Sequence, residues 1–363
     1  MDAADPGHRV GDVDERCIST VSVSRICQGE PNLFDQSRPL SSVSASCTGS
    51  ARGLGSLRSP MSFVVPDGLI RAQRTGTEIV MGMARAYPAA HIARRMFELM
   101  EPICLVTFMA EECNQELAAL GHRTYWDGYF ASRAAPLGRV AAQVVHAAFY
   151  NFAEGEVARH LPRAWEKIPP GASVAARERG SAASLRRILG AELAGSPGLA
   201  RAADLATKAA TSAPTQGRVM YAGMRTLAVP ADPVARLWHS ATMLREHRGD
   251  GHIAALVGAR IGGTEAHILS ALDMGIHPPQ SFGRVHHLPE ERLAAVMDGL
   301  RERGLVGADG RFTDAGRAVK QHIEAVTDEL AAPPYEALSS GELGELIAEL
   351  EPITVKLVAA GSR

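Results

Sequence analysis

The sequence predicts a mainly α-helical protein, and three observations carry that reading. From Ala89 onward, apolar residues recur three or four positions apart over long stretches. Prolines and glycines punctuate those stretches. Aromatic residues are only 5% of the 363. The core must therefore come from small and aliphatic side chains on closely packed elements, which helices supply. With 46% hydrophobic and 21% charged residues the composition is that of a globular chain, long enough for one large or two modest domains.

Taken in order, Ile92, Met96, Leu99, Met100 and Ile103 form one apolar face, with Arg94, Arg95 and Glu98 between them. Further helices are predicted over 110–120, 140–152 and 154–165, the last stopped by Pro169 and Pro170. One or two Ala-rich helices follow over 175–210. Residues 212–233 join two helical halves. In the second half a helix over 234–247 is predicted to break at Arg248-Gly249-Asp250-Gly251, with Asp250 as N-cap of a new helix from His252. A helix over 265–274 and a turn at Pro278 and Pro279 come next. Pro289 then sits at a first helical position ahead of Leu293, Val296, Met297 and Leu300. The stretch 305–316 reads as two short strands around an Asp309-Gly310 turn, a small β-hairpin. The resulting domain reading is a disordered tail over 1–60, a helical domain over 85–211, a second domain over 234–335 and a C-terminal helix over 336–363. A start assigned upstream of Met61 accounts for the tail equally well.

Net charge is −2 with a pI near 6.7, so no global positive field holds a polyanion. Five cysteines, Cys17, Cys27, Cys47, Cys104 and Cys113, form no CxxC pair and point to a reducing cytoplasm. The first 60 residues lack the basic end and apolar run of a secretory signal, and no uncharged apolar run reaches the length of a membrane span. There is no GxGxxG after a strand, no P-loop and no GxSxG, so no nucleotide cofactor is expected.

The densest polar constellation is His239, Glu246, His247, Arg248, Asp250 and His252. Seven residues turn through about 700° of helix, which puts Glu246 nearly in line with His239. Two readings stand. In one, His239, Glu246 and His252 form a divalent-metal site or acid/base group, with Arg248 for an anionic substrate. In the other, the segment is a capped helix junction, Arg248 paired to a carboxylate and His239 packed in the core. A second group, Glu101, Cys104, Glu111, Glu112 and Cys113, surrounds an apolar run. Cys104 reads either as a thiolate nucleophile or as a packed side chain.

The run Leu-Arg-Glu-Arg-Gly-Leu-Val (300–306), the hairpin after it and Thr313-Asp314-Ala315-Gly316-Arg317 resemble the winged helix of MarR-type regulators over about 252–330. Leu237-Trp238-His239-Ser240-Ala241-Thr242 with the motif over 244–252, Glu101-Pro102-Ile103, Tyr129-Phe130, Arg133 to Gly138 and Phe149-Tyr150-Asn151-Phe152 resemble a largely uncharacterised actinobacterial helix-turn-helix family. That family's pattern has His after Glu-Pro-Ile, where this chain has Cys104. The resemblance implies a mainly α fold of winged-helix-like units, and a faint echo of Glu156 to Trp165 in Arg292 to Leu300 suggests that they are tandem. It also implies interior roles for Tyr129, Arg133 and Asn151.

Charge disfavours DNA. A recognition helix normally offers basic and amide side chains to phosphates and bases. The helix after Pro289 carries Glu290, Glu291, Asp298 and Glu302 against Arg292, Arg301 and Arg303. The first expectation is therefore a cytoplasmic protein that binds or converts a small molecule in bacterial specialised metabolism. The alternative is a ligand-responsive DNA-binding regulator acting as a homodimer. In the first, Cys104, His239, Glu246 and His252 do the chemistry, and Glu101, Tyr129, Arg133, Asn151 and Arg248 hold the substrate.

Overall fold

The computed structural model describes residues 76–279 and 288–361, with side chains from residue 89. The tail expected over 1–60 lies outside these residues. From Ala86 to Arg363 the chain belongs to one compact unit. It is mainly α, as the sequence predicts.

Helix α1 runs Gly76–Met109, followed by α2 Glu111–Ala119 and α3 Tyr125–Ala134. Thr124 starts α3 by accepting the Asp127 N–H at 3.1 Å. Then come α4 Ala142–Phe149, α5 Glu156–His160 and α6 Pro170–Ala194, which kinks at Gly190, where φ is +72°. Ser196 and Pro197 open α7 Pro197–Ala210, and a six-residue α8 spans Val219–Met224. Asp232 accepts the Ala235 N–H at 2.8 Å and opens α9, Pro233–Gly258, with Pro233 in its first turn. The remaining helices are α10 Gly263–Asp273, α11 Glu290–Glu302, α12 Asp314–Ala331 and α13 Ser340–Gly361.

Three apolar cores result. The largest packs α1, α6, α7, the first half of α9 and α13 around Met96, Leu185, Leu205, Leu237 and Leu350. A second, aromatic core joins α3, α4 and α5 around Phe130, Phe149 and Trp165. The third joins the C-terminal end of α9, through Ala255 and Leu256, to α10, α11 and α12 around Ile268, Leu300 and Ile323.

Two local expectations are corrected. Helix α9 does not break at residues 248–251; it runs through them for 26 residues. Asp250 caps α8 rather than its own chain segment, accepting the N–H groups of Met220 at 3.3 Å and Tyr221 at 2.9 Å. Of the two glycines that read as a breaker, Gly251 is instead a place of close approach, since a Cβ there would collide with Arg218 and lie 3.2 Å from Leu330 Cβ. Gly in a helix costs up to about 1 kcal/mol, which tertiary packing overrides here.

The expected β-hairpin wing is reduced to one antiparallel bridge, Val306 with Phe312, and no strand forms among the described residues. The reason lies at Thr313. It already caps α12, accepting the Gly316 N–H at 3.0 Å, so the returning arm has no length left to pair. Pro289 likewise precedes α11 rather than occupying its first turn. Among the described residues no helix is long and apolar enough to cross a membrane.

Candidate functional site

Helix α9 places its polar residues in two separate networks. The inner one lies between α1, α3, α6 and α9. Arg133 of α3 donates through Nε and Nη2 to the two carboxylate oxygens of Glu246, at 3.0 and 3.1 Å, and through Nη1 to the Tyr129 hydroxyl at 3.2 Å. Its guanidinium also stacks 4.2 Å from the Phe149 ring centre. Arg245 donates to Glu101 at 2.8 Å and lies 3.9 Å from Glu246. Burial alone would raise the Glu246 carboxyl, but Arg133, Arg245 and Arg177 override it and hold it at about 2. Glu246 is therefore a fixed counter-charge and not an acid/base group near neutral pH.

His239 is buried in α9 with no hydrogen-bond partner for Nε2. Burial and the charge of Arg177 pull it down to about 4, so it is neutral. Cys104 is buried on α1, where desolvation and Glu101 push its thiol up, against the thiolate expected of a nucleophile.

The outer network joins α9 to α1 and α12. Arg248 donates to Asp328 at 2.6 Å and to Glu324 at 3.3 Å, and Arg94 donates to the same two carboxylates. His252 shares a hydrogen bond with Thr327 at 2.9 Å. Glu246 is thus claimed by arginines and His252 by a hydroxyl, and the trio His239, Glu246 and His252 is not assembled as a metal site. Among the described residues no group of three His, Cys, Asp or Glu side chains is placed to hold a metal. Asn151 is exposed and joins neither network.

The structure thus brings together Glu101, Tyr129, Arg133, His239 and Glu246, with Cys104 beside Glu101, and separates Arg248, His252 and Asn151 from them. It adds Arg177 and Arg245. Arg177 lies on α6 in the register of Gly180, Ser181 and Ser184, a small-residue face that isolates one cation. That isolation is the one sequence signal for it. Gly180 lets α6 approach α2 so closely that a Cβ there would stand 2.6 Å from Cys113 Cα.

The second region of interest is the α10–α11 pair. Leu300 is the one fully buried residue of α11. The arginines of α11 and of its C-cap are engaged by carboxylates: Arg292 with Glu154 at 2.9 Å, Arg301 with Asp298 at 2.8 Å and the C-cap Arg303 with Glu265 at 3.0 Å. A cleft of about 490 Å³ lies between this pair and α4–α5, lined in part by His146, Tyr150, Phe152, Thr264, Arg292 and Val296.

A family model described as a helix-turn-helix family matches residues 93–363. The chain belongs to that family. No curated protein and no solved structure matches it.

Proposed function

We propose that the chain is a ligand-responsive, DNA-binding transcriptional regulator of the helix-turn-helix class, cytoplasmic and dimeric, with α11 as its recognition helix in the manner of MarR-type proteins. The observation that carries this is the exposure of α11. Its 13 residues bury one side chain, it follows α10, and the bridged turn and α12 hold its C-terminal end. The arginine–carboxylate pairs on α11 are exposed, and such pairs are worth about 0–1 kcal/mol, so phosphate can displace the carboxylates at small cost. The cleft beside α11 is of ligand size, and an effector there would touch Arg292 and Val296 directly.

The test is a mobility-shift assay with the DNA upstream of the gene, titrated with salt. A sequence-specific complex that weakens steeply as salt rises supports the reading. Arg311→Ala, at the exposed turn, should reduce the salt slope by about one. Absence of any sequence-specific complex overturns it.

A second reading is favoured by one observation, the acidic N-terminal turn of α11 with Glu290 and Glu291. In it, the helix-turn-helix unit is a scaffold, and the chain binds or converts a small molecule of specialised metabolism at the inner network. That reading predicts no DNA complex at any salt concentration and a ligand-dependent rise in thermal stability.

A further inference from the structure

The charges of the inner network do not balance. Three arginines, Arg133, Arg177 and Arg245, face two carboxylates, Glu101 and Glu246. Glu246 is occupied by Arg133 and approached by Arg245, and Glu101 is occupied by Arg245. Arg177 is left over. It is 4% exposed, and its guanidinium carbon stands 5.4 Å from the Phe108 ring centre and 5.6 Å from that of Trp238. Its Nη1 reaches the Ser132 carbonyl only at 3.5 Å, and its Nε has no hydrogen-bond partner. Burial, with Arg133 and Arg245 adding to it, outweighs the opposing charge of Glu246 and pulls this guanidinium down to about 10.

Other buried polar atoms on the two helices are also unpartnered: Ser184 Oγ on α6, and Arg236 Nε, His239 Nε2, Thr242 Oγ1 and His247 Nδ1 on α9. Buried polar atoms are normally paired, and a buried charge without a counter-ion is strongly disfavoured. One negative charge would neutralise the five ionised groups. A planar group with two acceptor oxygens suits a guanidinium edge, and the rings of Phe108 and Trp238 suit an apolar body attached to it.

We propose that Arg177 anchors a binding site for a small organic carboxylate, with His239 as a neutral hydrogen-bonding group and Phe108 and Trp238 as walls. This site shares no residue with the cleft beside α11, and it does not depend on DNA binding. In this assignment Arg177 holds the ligand: it feels the charge of Glu246, but no protein carboxylate forms a hydrogen bond or ion pair with it among the described residues.

The test uses the full chain in chloride-free buffer, with benzoate as probe and benzamide as its neutral counterpart, read by isothermal titration calorimetry. Benzoate should bind at least tenfold more tightly than benzamide, and Arg177→Met should lose benzoate binding while keeping its circular dichroism and thermal midpoint. Arg177→Lys keeps the charge without the planar fork and should bind benzoate at least tenfold more weakly than the natural chain. It stands in should the Met variant fail to fold. No benzoate binding to the natural chain, equal binding of benzoate and benzamide, or undiminished binding to a folded Arg177 variant would overturn the proposal. The mobility-shift assay reads the DNA question separately.

Discussion

Arg218 lies across Gly251, donating to the His247 carbonyl of α9 at 2.7 Å and to the Leu330 carbonyl of α12 at 2.8 Å. The missing Cβ makes room for a guanidinium that staples two helices. Gly251→Ala is therefore expected to expel Arg218 and destabilise by about 1–3 kcal/mol. Gly249→Ala meets nothing nearer than a Glu246 oxygen at 3.9 Å. It should be neutral or stabilise by up to about 1 kcal/mol. Urea denaturation midpoints of the two variants check the contrast.

The Arg133–Glu246 pair is buried, and breaking it from one side strands a charge. Arg133→Met or Glu246→Leu alone should cost about 3–5 kcal/mol, whereas the double variant should recover most of that loss. A double-mutant cycle by chemical denaturation measures the coupling. A double variant no more stable than either single one would show that the pair is not the relevant unit.

Stability should fall as pH drops from about 6.5 to 4. Burial depresses His239 and His247 to about 4 in the folded chain. Unfolded histidines take up protons in that window and folded ones do not, so acid favours unfolding. Asp250 has the opposite sign. Burial raises it to about 6, so its contribution is present at low pH and lost as pH rises through 6. His239→Gln should flatten the stability–pH slope by about 1.4 kcal/mol per pH unit between 4 and 6.5. Asp250→Asn should steepen it by a similar amount between 4 and 6. Denaturant titrations across this range read both.

Thr313 both caps α12 and donates to the Gly304 carbonyl at 2.6 Å. Thr313→Ala should cost about 1 kcal/mol, and Thr313→Ser should restore most of it. Hydrogen exchange over residues 305–316 should quicken in the Ala variant alone.

The helical fold was legible because its signals are local. The spacing of Ile92, Met96 and Ile103 sets a core face of α1, and the proline after Asp232 marks the start of α9. The α9 break and the hairpin were misread because tertiary partners decide both. Arg218 and Tyr221 turn a Gly-Asp-Gly breaker into packed helix, and the cap at Thr313 leaves the strands no room. At the candidate site, His239 and Glu246 are both buried on the one continuous helix α9. Their partners were not legible, because Arg133 is 113 residues from Glu246 in sequence and Arg177 is one of several charged residues of α6 with no motif around it.

Helix α9 contributes Leu237, Ala241 and Leu244 to the largest core and Ala255 and Leu256 to the one that seats α10 and α11. A single rod shared in this way couples the melting of both. Scanning calorimetry of the folded chain should show one endotherm, its van't Hoff and calorimetric enthalpies in agreement, in place of two separable peaks.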